Sequence, residues 1–217
     1  MYEYGGSVKK DVKRALEFYK AAAAQGIPEG EVALGYLSRE GRGALRDYKR
    51  AVSMFRRAAA KDDADGQLAL GEMFWDGAGV PQDYEQAAHW VKLAADQGLA
   101  AAQLAFGLAF VEGRGVAMDD SSAFECFGKA AEQGDATGQA LVGSSCYHGM
   151  GVEKDGARAQ EWMLKAADQD YEIAQIVRDG FYPGPVVGTR VSPGMRTPRS
   201  RFLRGLAEKE RLGSLHS

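Results

Sequence analysis

The chain repeats itself at a fixed interval, and this periodicity limits its possible folds more than any other feature. A Gly-x-Gly turn occurs four times, each copy 36 residues after the last, beginning at Gly41, Gly77, Gly113 and Gly149. Residues 1–170 can be written in rows of 36 without an insertion. Repetition at this scale is typical of helical arrays, in which each module packs on its neighbours instead of sharing one core.

Each row predicts two helices, of which the second is called helix B. It follows an aspartate suited to capping a first turn, at Asp11, Asp47, Asp83, Asp119 or Asp155. Its apolar residues recur at spacings of three and four, which is one face of an α-helix. Every copy contains an alanine pair, represented by Ala94-Ala95. Because a larger side chain would overpack a close helix contact, the pairs predict that another helix approaches there, and Ala95→Leu is expected to destabilise the array.

Helix A, the first helix of each row, is predicted at about 28–40, 64–76, 100–112 and 136–148. It carries an interior glycine at Gly35, Gly71, Gly107 and Gly143. Glycine inside a helix costs about 1 kcal/mol relative to alanine, so these glycines predict a crossing helix. The Gly-x-Gly turns are interpreted as positive-φ turns between helices, because a phosphate-binding loop would follow a strand.

These elements together resemble the Sel-1-like repeat family, relatives of the tetratricopeptide repeats with a longer, glycine-containing turn. The resemblance covers Met1 to about Asp170 and rests on Gln67 with Leu70-Gly71, Gly77 to Val80, Asp83 with Ala87, and Ala94 to Gly98. The tetratricopeptide repeat itself fits less well because its period is 34 residues. The resemblance implies an all-α fold, an α-solenoid (right-handed superhelix) of 36-residue helix-turn-helix repeats.

The predicted organisation has four parts. They are a truncated first repeat with helix B only at 1–26, four complete repeats at 27–170, a degenerate half repeat at 171–182, and a Pro/Gly- and Arg-rich tail at 183–217. A short helix is predicted at 201–212, either capping the last repeat or disordered. Since most of the first helix A is missing, we expect a fragment, a misplaced start, or an array continued by a missing N-terminus or another chain.

Charge and composition bear on whether the chain binds nucleic acid or a membrane and on whether it is secreted. The formal net charge is −3, with +5 in residues 190–217 and −8 in residues 1–189, so no nucleic-acid partner is expected for the body. The basic tail admits contact with an acidic membrane or nucleic acid, but its sparse charges favour a solvated tail. Two cysteines do not form the disulfide framework of a small secreted domain, and no apolar run reaches the ~20 residues of a membrane span. The prediction is a cytoplasmic protein without a transmembrane segment.

No arrangement of reactive side chains predicts catalysis. The histidines His89, His148 and His216 have no paired metal-binding spacing, and Cys126 and Cys146 occupy predicted core positions. We therefore predict no enzyme activity, no cofactor and no metal. The resemblance leaves one enzymatic alternative, because secreted, cysteine-rich members of the family are associated with lactam binding or hydrolysis.

The predicted function is protein binding on helix A. Columns that contact a partner are free to differ between repeats, and two such columns lie three residues apart, on one helix face. Their residue types include those that dominate interface energetics. The candidate partner-binding residues are Tyr36, Arg39, Glu72, Trp75, Leu108, Val111, Ser144 and Tyr147. The chain is accordingly predicted to be a non-catalytic scaffold or adaptor for a protein or peptide. One alternative is a regulatory repeat region of a longer catalytic chain. The other is a lactam-associated enzyme or ligand-binding repeat protein.

Overall fold

A computed structural model describes residues 12–41 and 45–169, and these ranges contain nine helices and no strand. Residues 1–11 of the predicted first repeat, the predicted half repeat at 171–182 and the predicted tail at 183–217, including the helix at 201–212, lie outside the described residues. The helices are α1 (Val12–Ala24), α2 (Pro28–Glu40), α3 (Tyr48–Ala59), α4 (Ala64–Asp76), α5 (Tyr84–Asp96), α6 (Ala100–Glu112), α7 (Asp120–Glu132), α8 (Ala136–His148) and α9 (Gly156–Ala167). Their bounds confirm the predicted helices A and B, and α2, α4, α6 and α8 are the A helices.

Aspartate side chains begin most of these helices. A carboxylate oxygen accepts a hydrogen bond from the backbone N–H three residues later, which satisfies a donor that the first turn leaves unpaired. Asp63 and Asp135 cap A helices in this way, a role that the repeat pattern did not predict. The predicted caps of helix B are confirmed at Asp47 with Arg50 (2.9 Å), Asp83 with Gln86 (3.0 Å) and Asp155 with Arg158 (3.0 Å).

The chain divides into two compact units, Met1–Asp119 and Asp120–Ser217. In the first, each of α1 to α5 packs on the next helix along the chain, and a core forms around Phe55, Leu70 and Met73. In the second, α8 packs on α7 and α9, with Met163 and Ala166 in its core. Neighbour-on-neighbour packing within each unit is the arrangement of a helical repeat array.

The alanine pairs mark close helix contacts, as predicted. The first alanine of the pair is fully buried in Ala58 and Ala94, whereas Ala95 is partly exposed. The following helix A comes so near that a β-carbon on Gly66 would lie 2.6 Å from the β-carbon of Ala58. The first alanine of the pair therefore makes the closest side-chain contact with the following helix A.

The Gly-x-Gly turns connect helix A to helix B within a repeat and also contact the preceding repeat. Gly77 ends α4 with φ +65°, and Gly79 has φ +76°, so the predicted left-handed conformation is confirmed. Gly79 also lies against the start of the preceding helix B, where an added β-carbon would be 2.6 Å from the carbonyl carbon of Tyr48. Gly115 approaches the backbone of Tyr84 in the same way. The second glycine therefore serves both the turn and the contact between repeats.

None of the described helices has the length and apolar character needed to span a membrane.

Candidate functional site

The eight predicted partner-binding residues lie in pairs on the A helices. Each pair is separated by three residues, so its side chains leave one helix face. The pairs are Tyr36 and Arg39 on α2, Glu72 and Trp75 on α4, Leu108 and Val111 on α6, and Ser144 and Tyr147 on α8.

Three of these side chains form one connected group between α2 and α4. Arg39 Nη1 lies 2.6 Å from Glu72 Oε2, and the Arg39 guanidinium stands 4.7 Å from the centroid of the Tyr36 ring. The Tyr36 ring meets Phe55 of α3 edge-on, with 5.1 Å between centroids. The side chains of Arg39 and Glu72 remain 21% and 38% exposed. This group, Tyr36–Arg39–Glu72, is therefore anchored in the core at one end and open to solvent at the other.

Burial and the ion pair set the protonation of this group. Burial raises the pKa of the Tyr36 hydroxyl above its usual range, and the carboxylate of Glu72 raises it further. For Arg39, burial lowers the pKa, but Glu72 raises it by its charge and its hydrogen bond, and the net shift is upward. The group consequently presents a charged, restrained guanidinium beside a neutral phenol.

Trp75 follows Glu72 by one helical turn and is partly buried. Its backbone carbonyl accepts a hydrogen bond from Gln82 Nε2 at 2.6 Å. The indole Nε1–H is shielded from solvent and has no acceptor within the described part of the chain. An unsatisfied buried donor of this kind costs about 1–3 kcal/mol.

The other candidates differ in accessibility. Leu108 and Val111 are partly buried on α6. In the second unit, Tyr147 is partly buried against the core of α8 and α9, and Lys154 Nζ lies 5.9 Å from its ring centroid. Ser144 is only 3% exposed, so its side chain is not accessible to a partner in this structure.

The structure also reveals polar pairs, each with one buried member on helix A, that were not predicted from the sequence. Oε1 of Gln67 accepts a hydrogen bond from Gln97 at 2.8 Å, and Oε1 of Gln139 accepts one from Gln169 at 2.9 Å. Both pairs are separated by 30 residues and join helix A to the end of helix B in the same repeat. The signal lay in two columns that change together, because the second repeat has Glu31 where the others have glutamine and Lys61 30 residues later.

Glu31 and Lys61 form the charged equivalent of these glutamine pairs. Glu31 is fully buried, with Lys61 Nζ 2.8 Å from Oε2 and Arg57 Nη2 2.7 Å from Oε1, the latter outside hydrogen-bond geometry. Lys61 and Arg57 also donate to the carbonyls of Gly26 (2.7 Å) and Ala23 (3.3 Å) at the end of α1. These contacts tie three helices together, and burial inside the stack indicates an architectural role.

The reactive and metal-ligating side chains of the described residues do not form a cluster that could hold a metal ion. Cys126 and Cys146 are free thiols, and burial raises the pKa of Cys146. A raised pKa lowers the thiolate fraction and hence the nucleophilicity of that sulfur. Among residues 12–41 and 45–169, no three His, Cys, Asp or Glu side chains are grouped to hold a metal ion.

The sequence matches the Sel1 repeat over residues 1–27, 28–63, 64–99, 99–135 and 136–171. A Sel1 repeat protein from Oxalobacter formigenes is similar in structure, with 30% identity and a TM-score of 0.72 over 82% of this chain and 52% of that one. The protective antigen c5321 of uropathogenic Escherichia coli, which displays an SLR fold, has 28% identity and a TM-score of 0.71 over 96% of this chain and 44% of that one. This chain thus spans about half the length of both proteins.

Protein 5086 of Pseudomonas aeruginosa shares the fold at 18% identity, with a TM-score of 0.57 over 84% of this chain and 70% of that one. No curated protein matches the sequence.

Proposed function

The chain belongs to the Sel1 repeat family, whose α-solenoid members are generally protein-interaction scaffolds, and we propose that it is a non-catalytic adaptor that binds a partner segment on the helix A face. The observation that carries the proposal is the Tyr36–Arg39–Glu72 group, with Trp75 one turn away on α4. Tyrosine, tryptophan and arginine supply most of the binding energy in protein interfaces.

Restraint of Arg39 supports this choice of surface. A free arginine loses side-chain entropy when a partner orders it, which weakens binding. Here Glu72 and the Tyr36 ring already hold the guanidinium in one place, while a fifth of the Arg39 side chain stays exposed. The remaining donors of the guanidinium can bind backbone carbonyls or a carboxylate of a partner segment without that loss.

Trp75 supports the same surface from the neighbouring helix. It offers a large aromatic side chain whose indole N–H has no acceptor within the described structure. The donor is shielded from solvent, so it is the partly exposed ring that would supply apolar contact area to a partner. Arginine and tryptophan thus lie on adjacent A helices, where one extended segment can reach both.

Peptide selection followed by calorimetry tests the proposal. Peptides selected from a displayed random library against the intact chain would be titrated against the wild type, Arg39→Ala, Trp75→Phe and Trp75→Ala. We expect Trp75→Ala to weaken binding by about thirtyfold, as for a central interface residue, and Trp75→Phe to weaken it less because the apolar bulk remains.

Tyr84→Ala is the matched control, since Tyr84 is an exposed aromatic residue on helix B. Circular dichroism would establish that every variant retains its helices. Peptides that bind Arg39→Ala and Trp75→Ala as tightly as the wild type, or that lose affinity with Tyr84→Ala, would show that the helix A face is not the binding surface.

A further inference from the structure

We infer that the exposed face of α3 is a second binding surface, which takes a short acidic segment of a partner protein. The segment from Leu45 to Lys61 contains six basic residues and one acidic residue, for a formal charge of +5. The equivalent segments of the next three repeats, 81–97, 117–133 and 153–169, carry −2, −3 and −1. Because those repeats form the same helix without the positive charge, the fold itself does not require it.

The basic residues cover the solvent side of α3. Lys49 and Arg56 lie on one line along the helix, and Arg50 and Arg57 lie on the adjacent line, with each pair seven residues or about 10 Å apart. All four side chains are exposed. The opposite side of the helix packs into the core through Ala51, Val52, Phe55, Ala58 and Ala59. We call the four-residue surface of Lys49, Arg50, Arg56 and Arg57 the basic face.

Two of the four residues of the basic face contact other parts of the fold, and the other two do not. Arg57 contacts the buried carboxylate of Glu31, and the Arg56 guanidinium stands 5.9 Å from the Phe74 ring centroid. The side chains of Lys49 and Arg50 make no ion pair or hydrogen bond within the described residues. These two residues therefore have their charges available for an anionic partner.

The surrounding charge favours a short acidic peptide over a long polyanion. After Lys61 the first unit turns strongly negative, because residues 62–119 contain ten acidic and two basic residues, or −8. The 12-residue helix α3 is about 18 Å long, which is the length of about six extended residues. A nucleic acid or an anionic membrane that extended from α3 toward the following repeats would meet this negative charge, whereas a peptide with a few carboxylates would not.

Fluorescence anisotropy with a defined probe tests this inference. The probe is a fluorescein-labelled peptide of about eight residues in which glutamate alternates with glycine, long enough to follow α3 when extended. We expect the intact chain to bind it at low ionic strength. Lys49→Ala with Arg50→Ala should weaken binding about fivefold, and salt of about 0.5 M should abolish it, because the contacts are exposed charge pairs.

Lys129→Ala with Lys165→Ala is the matched control, since it removes two exposed positive charges from other B helices and makes the same change in net charge. It should leave the affinity for the probe unchanged. Both double variants alter exposed side chains, and their circular dichroism should match the wild type.

Four results would overturn the inference. They are no binding of the probe by the wild type, an equal loss of affinity in both double variants, tighter binding of duplex DNA or of phosphatidylserine vesicles than of the peptide, and a self-associated wild type that Lys49→Ala with Arg50→Ala makes monomeric. The last result would identify a second copy of the chain as the occupant. None of these measurements involves Arg39 or Trp75, so the basic face and the helix A face can fail independently.

Discussion

Val91 of α5 lies against the backbone of Gly71 of α4, and a β-carbon on Gly71 would come within 2.5 Å of Val91 Cγ2 and 3.0 Å of the Ala87 carbonyl oxygen. Helix B thus crosses helix A of its own repeat at the glycine. Gly143 has the same relationship to Met163 and to the carbonyl of Ala159. The glycine that weakens an isolated helix A is therefore the residue that permits the helix pair to close.

We expect Gly71→Ala to destabilise the fold by up to about 2 kcal/mol. Overpacking against Val91 and the Ala87 carbonyl costs about 1–3 kcal/mol, which exceeds the gain of about 1 kcal/mol from replacing glycine in a helix. Gly128→Ala is the control, because Gly128 is inside α7 and an added β-carbon there would have no neighbour within 4 Å. It should stabilise by about 0.5–1 kcal/mol. Urea unfolding measures both, and the same sign for the two variants would contradict the crossing argument.

The two roles of the turn glycine can be separated by a second pair of substitutions. Gly98→Ala meets no neighbouring atom, so it should cost only the strain of a left-handed alanine, about 1–2 kcal/mol. Gly79→Ala carries similar strain and also places a methyl group against the Tyr48 carbonyl. We expect its cost to be larger by at least about 1 kcal/mol. Thermal unfolding compares them, and equal losses would mean that the contact between repeats adjusts freely.

The ion pair of the buried Glu31 with the partly exposed Lys61 predicts strong coupling. Lys61→Met keeps the apolar stem but removes a cation from a fully buried carboxylate, and we expect a loss of about 1–3 kcal/mol, moderated because Arg57 remains. In a Glu31→Gln background, the same substitution should cost less than half as much, since no buried charge is left. A double-mutant cycle from urea unfolding gives the coupling energy. Additive losses would show that the two side chains do not depend on each other.

Tyr36 predicts a loss of stability at alkaline pH. Burial keeps the hydroxyl protonated in the folded state, whereas an unfolded tyrosine loses its proton near pH 10. The unfolded state then binds fewer protons, so the free energy of unfolding falls as pH rises above about 10, by up to about 1.4 kcal/mol per pH unit. This contribution is fully present below pH 10 and is lost as pH approaches the folded pKa.

Urea unfolding at pH values between about 9 and 11 tests the effect by comparing wild type with Tyr36→Phe. The variant should lose less stability over this range. Tyr84→Phe, which removes an exposed hydroxyl, is the control and should follow the wild type. Parallel pH profiles for wild type and Tyr36→Phe would contradict the prediction.

The helices could be predicted from the sequence because the residues that mark each helix boundary recur from repeat to repeat. The capping aspartate and the alanine pair recur five times and the interior glycine four times, so a substitution in one repeat does not hide the pattern. The alignment of Tyr36 and Arg39 on one face follows from helical spacing alone. Their connection to Glu72 does not, because it depends on the distance between α2 and α4 and on the rotamers of two long side chains.

Two features could not be predicted from residue type. Ser144 shares a column with partly exposed residues, but it lies in an unbroken run of nine buried residues, Gly138 to Cys146, which includes small and polar side chains. The pairing of Glu31 with Lys61 requires knowing that positions 30 residues apart meet inside a repeat. The positive charge of α3 could be predicted from the sequence. The exposure of Lys49, Arg50, Arg56 and Arg57 on the solvent side of one helix required the structure.

The polar pairs that join helix A to the end of helix B limit how such an array can be recombined. Exchange of any 36-residue window preserves the helix pattern, because the pattern has the same period. A breakpoint between Glu31 and Lys61, however, would separate the carboxylate from its cation and place it opposite a glutamine. Breakpoints outside that interval transfer both residues together. Repeats that are alike in their apolar residues therefore differ in the polar residues at the positions of Glu31 and Lys61. These residues determine where two arrays can be recombined without leaving a buried charge unpaired.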